Sequence, residues 1–400
     1  MNILFLTVSR LDDINQRNIY TDLLREMIKR GNEVYIASPT ERRFGNKTYL
    51  SKFDHCQILK IHTLNIQKTN VVEKGIGTLL LELQFAKAIQ KYWSNVHFDL
   101  VLYSTPPVTF NKVIEYIKKR DGARSYLMLK DIFPQNAVDL GMMKEGGLLH
   151  KMFRRKEEQL YELSDRIGCM SPANCDYILK HNPSVNPNKV CLCPNAIEPV
   201  EIPEVTGKDR KSLLNSLGIP SDKRLFIYGG NLGKPQGLDF LLRVVESNEK
   251  NEDSFIIVIG NGTEYERIRH WFDIHSPQNA VLLERLPKDA YDRLVSICDV
   301  GLIFLDPRFT IPNFPSRLLS YLENAIPVLL ATDTSTDMGR IAEKEGFGLW
   351  CENGDITGFM SNMNSLKNNI IEEMGKRGNA YMKKNYTVAM VVDSILDHSK

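Results

Sequence analysis

The sequence predicts an α/β protein built of two doubly wound parallel-sheet domains facing across a cleft. Three observations lead there. Short apolar runs alternate with longer amphipathic ones from the first residue to about residue 350. The alternation lapses once, in the proline-bearing stretch "PNAIEPVEIPEVTGK" (194–208), and then restarts. A chain of 400 residues suits two domains of ordinary size better than one.

The elements follow in order. "NILFLTV" (2–8) reads as a strand, "RNIYTDLLREMIKRG" (17–31) as a helix closed by Gly31, and "EVYIAS" (33–38) as a strand. "DLVLYST" (99–105) is a strand that runs into Pro106-Pro107 and the helix "VTFNKVIEYIKKRDG" (108–122). "SYLML" (125–129), "RIGCMS" (166–171) and "KVCLC" (189–193) complete the first set of strands. A linker is expected near 196–208. The second set is "RLFIYGG" (224–230), "SFIIVIGNG" (254–262), "AVLLERL" (280–286), "DVGLIFL" (299–305) and "PVLLAT" (327–332). Amphipathic helices over roughly 368–398 end the chain. The expected domains are 1–197 and 198–375, with a C-terminal helix over 376–400 packing back on the first.

A composition of 42% hydrophobic and 25% charged residues is that of an ordinary globular protein. Seven cysteines show no CxxC pair and no zinc-like spacing with histidine, and Cys191 and Cys193 alternate in an apolar segment, which fits buried thiols. "MNILFLTVSR" is too short for a signal peptide and no run of 18 apolar residues occurs, so a cytoplasmic location is expected. Residues 1–197 hold 28 Lys and Arg against 20 Asp and Glu, a surplus of eight, whereas the remainder has a deficit of six. A basic first half suits an anionic partner such as a phospholipid surface or a pyrophosphate-bearing substrate.

Ligands of doubly wound sheets bind beyond the carboxyl ends of the strands, which selects the loops to read. "YGGNLGKPQGLDFLL" (228–242) puts Gly230, Gly233 and neighbouring glycines after a strand, with backbone N–H groups free for a phosphate and Lys234 supplying charge. It is not a G-x-x-x-x-G-K-[ST] loop, and the first turn "TVSRLDDINQRN" lacks G-x-G-x-x-G, which argues against a dinucleotide cofactor and hydride transfer. "GNGTEYERI" (260–268) again places glycines, Gly260 and Gly262, at a strand end, with Glu264 in the first turn of a helix. In "TIPNFPSRLLSYLENAIPVLLATD" (310–333), Ser316 reads as an N-cap and Arg317 falls in the first helical turn, where acids are the rule. A cation there makes sense beside an anion, so Arg317 is expected to meet a phosphate together with the helix end. The three loops together describe a nucleoside diphosphate site. His62, His97, His150 and His181 have no partner at a recognisable spacing and read as structural, and no basic-aromatic run points to nucleic acid.

The order of these motifs resembles the family-4 retaining glycosyltransferases of the GT-B fold, over nearly the whole chain. It is most similar to the branch that builds bacterial capsules and O-antigens, including N-acetyl-L-fucosaminyl transferases. The resemblance is carried by "KDIFPQNAVDLG" (130–141), "EEQLYELSDRIGCMS" (157–171), "CPNAI" (193–197), "YGGNLGKPQG" (228–237) and "PSRLLSYLENAIPVL" (315–329). It implies an NDP-sugar co-substrate, UDP-linked, on the second domain and an acceptor on the first, with retention of configuration and no metal or other cofactor. Arg317 aligns with the family's Lys of Pro-Ser-Lys and is the first choice for stabilising the leaving diphosphate, with Lys234 second.

The departures are specific. The family's two glutamates eight positions apart fall on Pro312 and Ser320, with Glu323 one turn further on; its Gly-Arg and Lys-Gly become Asn231 and Gln236. The donor site implied is therefore Gly230, Asn231, Gly233, Gln236, Gly260, Gly262, Glu264, Leu286, Ser316, Ser320 and Glu323. Asp131 follows a strand and is expected to orient acceptor or donor sugar, while Asp12, Asp13 and Arg17 are expected to touch the acceptor. If that acceptor is linked to undecaprenyl diphosphate, "LELQFAKAIQKYW" (81–93) and "GLLHKMFRRKEEQLY" (147–161) are the stretches that would meet the inner leaflet of the plasma membrane. Two rivals stay open: a sugar-nucleotide 2-epimerase of the same architecture, and a non-catalytic homologue acting as a binding subunit.

Overall fold

The computed structural model describes residues 1–66, 69, 71–202 and 205–397. Positions 203 and 204 of the expected linker and 398–400 of the expected C-terminal helix lie outside the described residues. The chain divides into two compact units, Met1–Glu198 with Thr387–Lys400, and Pro199–Tyr386.

In the first unit the chain runs β1 (Asn2–Leu6), α1 (Ile19–Lys29), β2 (Glu33–Glu41), β3 (Tyr49–Phe53), β4 (Cys56–Thr63), α2 (Val71–Tyr92), β5 (Leu100–Ser104), α3 (Asn111–Asp121), β6 (Arg124–Leu129), α4 (Gln135–Asp139), α5 (Leu148–Leu163), β7 (Arg166–Cys169), α6 (Pro172–His181) and β8 (Val190–Leu192). The sheet order is β3-β4-β2-β1-β5-β6-β7-β8, parallel except for β3. Every residue of β5 is buried, as in a sheet covered on both faces. Asn18 rather than Arg17 starts α1: its side chain accepts from the N–H groups of Tyr20 and Thr21, and Thr21 Oγ1 accepts from Asn18 N–H, a capping box. The β3–β4 hairpin went unforeseen because β3 is half-exposed and polar, and because β4 carries a lysine, Lys60, in its middle.

The second unit continues with α7 (Gly207–Ser216), β9 (Arg224–Asn231), α8 (Leu238–Ser247), β10 (Ser254–Asn261), α9 (Tyr265–His275), β11 (Ala280–Glu284), α10 (Lys288–Val295), β12 (Val300–Phe304), α11 (Arg317–Glu323), β13 (Val328–Thr332), α12 (Met338–Lys344), β14 (Gly348–Glu352), α13 (Ile356–Ser365) and α14 (Asn368–Asn385). The order β11-β10-β9-β12-β13-β14 is wholly parallel, the doubly wound arrangement whose strand order reverses between its first and fourth strands.

The chain then returns to the first unit as α15 (Val388–Asp397). Val388, Val391, Val392 and Ile395 join Leu23, Leu24 and Met27 of α1 in one core, and Arg30 pairs with Asp393. The return begins at Thr387 and not at 376. Helix α14 runs unbroken through that point and belongs to the second unit: a Cβ on Gly375 would lie 1.8 Å from the Ala325 carbonyl oxygen, and Asn379 Nδ2 donates to the carbonyls of Leu322 and Glu323 at 3.0 and 3.1 Å.

Candidate functional site

In the second unit, β9 and β12 pair only through Phe226–Val300 and Ile227–Gly301. Beyond that the strands part, which is where a doubly wound sheet opens a crevice. Tyr321 of α11 enters the gap. It is fully buried; its hydroxyl accepts from Gly229 N–H at 3.1 Å and lies 3.1 Å from the Ile227 carbonyl oxygen. Two glycines make room for this packing. A Cβ on Gly301 would meet the Tyr321 ring at 2.3 Å, and one on Gly229 the Tyr291 hydroxyl at 2.2 Å. Burial pushes the Tyr321 hydroxyl up and that of Tyr291 to about 12, so both are neutral at ordinary pH.

Arg317 opens α11 in this setting. Its guanidinium stacks on the Tyr228 ring at 4.4 Å from the centroid, and its Nη2 donates to Gln236 Oε1. A Cβ on Gly230 (φ 129°) would sit 3.7 Å from the guanidinium, so Gly230 leaves the approach open on that side. Nη1 is buried and has no hydrogen-bond partner among the described residues. A buried donor on a half-buried cation carries a desolvation cost that a bound anion would offset, and a guanidinium offers phosphate a forked pair of donors.

The helix end itself contributes less than expected. Ser316 is exposed, has helical dihedrals (φ −66°, ψ −14°) and makes no capping bond from its side chain. The chain has already turned by Pro315, and the Leu318 and Leu319 N–H groups are spent on Pro315 and Ser316 carbonyls at 3.3 and 3.1 Å. The helix is also only seven residues long. Of the two features expected to meet a phosphate, the guanidinium and not the helix end has a donor to offer.

The structure brings Gly230, Asn231, Gly233, Gln236, Gly260 and Gly262 to the same end of the sheet, but for reasons of their own. Gly260 and Gly230 are register partners, and a Cβ on Gly260 (φ 152°) would lie 1.8 Å from the Gly230 carbonyl oxygen. One on Gly262 would lie 2.2 Å from that of Leu232. These two glycines are required by the close approach of β9 and β10, whatever binds nearby. Lys234 is exposed on the short turn 234–236. Glu264 stands at the start of α9 and pairs with Arg267 at 2.8 Å, and Leu286 is half-buried just past β11. Ser320 is half-buried within α11.

Glu323 is not with Arg317. It ends α11, is buried, and accepts from the Val200 N–H at 3.1 Å, so it pins the entry into the second unit. Two carboxylates not singled out in the sequence lie at strand ends. Asp306 takes Arg308 with both oxygens, at 2.8 and 2.7 Å, and Asp333, pushed up to about 6 by burial, accepts from the N–H groups of Ser335 and Thr336.

In the first unit Asp131 lies just past β6, half-buried, and accepts from Asn136 Nδ2 at 2.6 Å. Burial raises its carboxyl to about 6, Glu157 adds to the rise, and the bonds from the Ile132 amide and Asn136 oppose it. The expected acceptor residues are spoken for within the unit. Asp12 bonds Lys60 Nζ at 2.8 Å and Arg10 Nε at 2.6 Å. Lys60 is buried and also donates to the Leu11 carbonyl and Ser38 Oγ, both at 2.9 Å. Asp13 caps its own turn by accepting from the Asn15 N–H at 2.9 Å, and Arg17 donates to the Glu198 carbonyl at 2.9 Å. These three side chains hold the loop after β1 in shape. Lys60 and the tyrosines around Arg317 were missed; a lysine inside a strand and a tyrosine inside a core helix look locally like any other.

The four histidines expected to be structural have local partners: His62 Nδ1 the Asn46 carbonyl, His97 the Asp121 carboxylate at 3.9 Å, His150 the Gly146 N–H, and His181 the Tyr177 ring. All seven cysteines are free, five of them buried. Among the described residues no helix is long and apolar enough to cross a membrane, and no group of three or more His, Cys, Asp or Glu is placed to hold a metal ion.

Residues 209–384 match the family model described as glycosyl transferases, group 1. A protein of Pseudomonas aeruginosa named as the glycosyltransferase WbjE is 22% identical over 291 residues, 72% of this chain and 71% of its own length. A protein of Escherichia coli K12 named as the colanic acid biosynthesis glycosyl transferase WcaI is 21% identical over 272 residues, 67% of this chain and 65% of its own length. Among solved structures, sucrose-phosphate synthase of Thermosynechococcus elongatus has a TM-score of 0.76 at 13% identity, covering 99% of this chain and 97% of the other. Anabaena Alr3699/HepE, in complex with UDP, has 0.67 at 12% identity, covering 99% of each. At these identities the structural likenesses show the fold, two Rossmann-like α/β units of the GT-B class.

Proposed function

We propose that the chain is a group 1 glycosyltransferase that moves a sugar from a nucleoside diphosphate donor to a saccharide acceptor in polysaccharide biosynthesis. The family match over the second unit and the names of the two relatives support glycosyltransferase activity in that setting. The observation that carries the reading to a site is the Arg317 guanidinium at the opening between β9 and β12, held by Tyr228 and Gln236 with Nη1 unused.

Breaking the bond between the sugar and the diphosphate places negative charge on the departing phosphate. A fixed cation in a water-poor setting stabilises that charge more in the transition state than in the ground state. Arg317 does this with its position fixed before substrate arrives, and in this reading the work is done without a metal. Asp131, with a carboxyl near 6, orients the acceptor or the transferred sugar. The finer features we assign are a UDP-linked donor, retention of configuration, and an acceptor carried on a lipid diphosphate in surface polysaccharide assembly. The UDP complex of the Anabaena structure supports the first of these.

The test is calorimetric titration of the folded protein, with divalent metal chelated, against UDP, GDP, dTDP, ADP and CMP, repeated with Arg317→Ala. One diphosphate should bind well above the rest and lose affinity in the variant. Failure of every nucleotide to bind folded protein would sink the reading and turn it toward a non-catalytic homologue.

A further inference from the structure

The outer face of α2 is apolar, and nothing among the described residues covers it. Ile76, Leu79, Leu80 and Leu83 follow i, i+3, i+4, i+7 spacing and are 37–50% exposed, while Leu81, Phe85 and Ile89 on the other side are buried in the unit. A helix apolar on both faces belongs in a setting buried on both. A second apolar cluster stands close by. The start of α3 touches α2 and α5 at once: Thr109 Oγ1 donates to the Thr78 carbonyl at 3.2 Å, and Asn111 Nδ2 to the Lys156 carbonyl at 2.9 Å. In a parallel α/β layer helices enter from the carboxyl edge of the sheet, so the N-terminal ends of α2 and α5 share that rim. There Leu148, Leu149 and Met142 are 88%, 61% and 60% exposed.

Charge identifies what covers this face. Lys87 and Lys91 continue the exposed stripe of α2, and Lys144, Lys151 and Arg155 are exposed around the second cluster. The carboxylates of α2 are compensated: Glu73, at the start of the stripe, pairs with Arg42 at 2.8 Å, and Glu82 is buried beside Lys156 at 3.6 Å. Glu145, Glu158, Glu162 and Asp165 are the exposed acids near α5; Glu158 is paired with Arg154 at 3.4 Å and Asp165 with Lys118 at 2.8 Å. A second copy of the chain would set these cations against themselves in a two-fold contact. A bilayer with anionic lipid offers acyl chains for the leucines and headgroups for the lysines.

We propose that the first unit docks through the outer face of α2 and the Leu148–Leu149 corner on an anionic bilayer surface. The inference rests on the lipid-linked acceptor of the proposed function for its purpose, and on exposure and charge alone for its geometry. The test is co-sedimentation of the full chain with phosphatidylcholine vesicles containing phosphatidylglycerol, and with phosphatidylcholine alone. Wild type should sediment with the anionic vesicles and be partly released by salt. The double variant Leu79→Glu/Leu83→Glu should lose at least ~10-fold in partitioning, the order expected for two apolar side chains withdrawn from lipid. Leu148→Ser/Leu149→Ser should lose a similar or smaller amount, and circular dichroism checks that both variants fold.

Absence of vesicle binding by wild type, binding unaffected by either variant, or a dimer by light scattering that the same substitutions dissolve, would each overturn the proposal. UDP titration of the same samples separates this failure from that of the donor site. Variants that leave vesicles yet bind nucleotide as wild type support the docking face; loss of nucleotide binding with vesicle binding intact counts against the donor reading alone.

Discussion

The loop after β1 in the first unit and the mouth of β9 and β12 in the second make an instructive pair. Both are strand ends next to the point where a doubly wound sheet reverses its order, and both carry charged side chains that invite a functional reading. In the first, the charges are compensated within their own unit: Asp12 by Lys60, Asp13 by the Asn15 amide, and Arg17 by the Glu198 carbonyl and, at 4.0 Å, the Asp22 carboxylate. In the second, Arg317 is held from two directions and still has a buried donor left over. Charge at a strand end is therefore ambiguous, and a compensating carboxylate is what differs between the two: Arg17 faces Asp22, whereas no carboxylate among the described residues forms an ion pair with Arg317.

Substitutions at three positions sharpen or break that contrast. The largest effect is expected for Arg317→Ala, about 10²-fold in transfer rate, the order seen when a group that meets charge in the transition state is removed. Arg317→Lys should restore little, since an ammonium neither forks nor stacks as a guanidinium does. A rate within a few-fold of wild type in either variant would return Arg317 to the class of braces.

Next comes Lys60→Met. It leaves the Asp12 carboxylate short of a partner and the Leu11 carbonyl and Ser38 hydroxyl unsatisfied, at about 2–3 kcal/mol of stability in urea denaturation. Nucleotide affinity should be unchanged. A variant as stable as wild type but poor in transfer would mean that the first loop touches substrate after all.

Asp131→Asn is the smallest in stability and the most telling in its pH dependence. The carboxyl is raised from an ordinary 3.8 to about 6, so the folded state holds the proton more tightly than the unfolded one. Stability contributed at this position is present at low pH and declines as pH rises through that window, by about 3 kcal/mol at most. The asparagine variant should escape the decline, standing level with wild type near pH 4 and above it at pH 8 in thermal melts, while losing transfer and keeping nucleotide binding. A variant less stable than wild type at pH 8 would show that the charged form is the one the fold favours.

How far these sites could be read in advance differs from residue to residue. Arg317 was legible because a cation in the first turn of a helix runs against the dipole, and that conflict is written in the local sequence. The glycines of 228–237 and 260–262 were legible as glycines but not as to cause, since Gly260 and Gly262 owe their identity to a neighbouring strand 1.8 and 2.2 Å from where a side chain would begin. Glu323 was misplaced because spacing along a helix does not tell which backbone amide, here that of Val200, will face it.

The sequence by itself determined the two α/β units, the strands in each apart from β3, β4 and β14, and a break close to residue 198, because hydrophobic periodicity and proline-bearing linkers are properties of neighbouring residues. Tertiary structure alone decided that α14 stays with the second unit while α15 crosses to the first, that Lys60 braces the loop after β1, and that three tyrosines gather round one arginine. Those outcomes depend on pairs of residues far apart in the chain, whose burial and hydrogen bonding exist only once the sheets have formed.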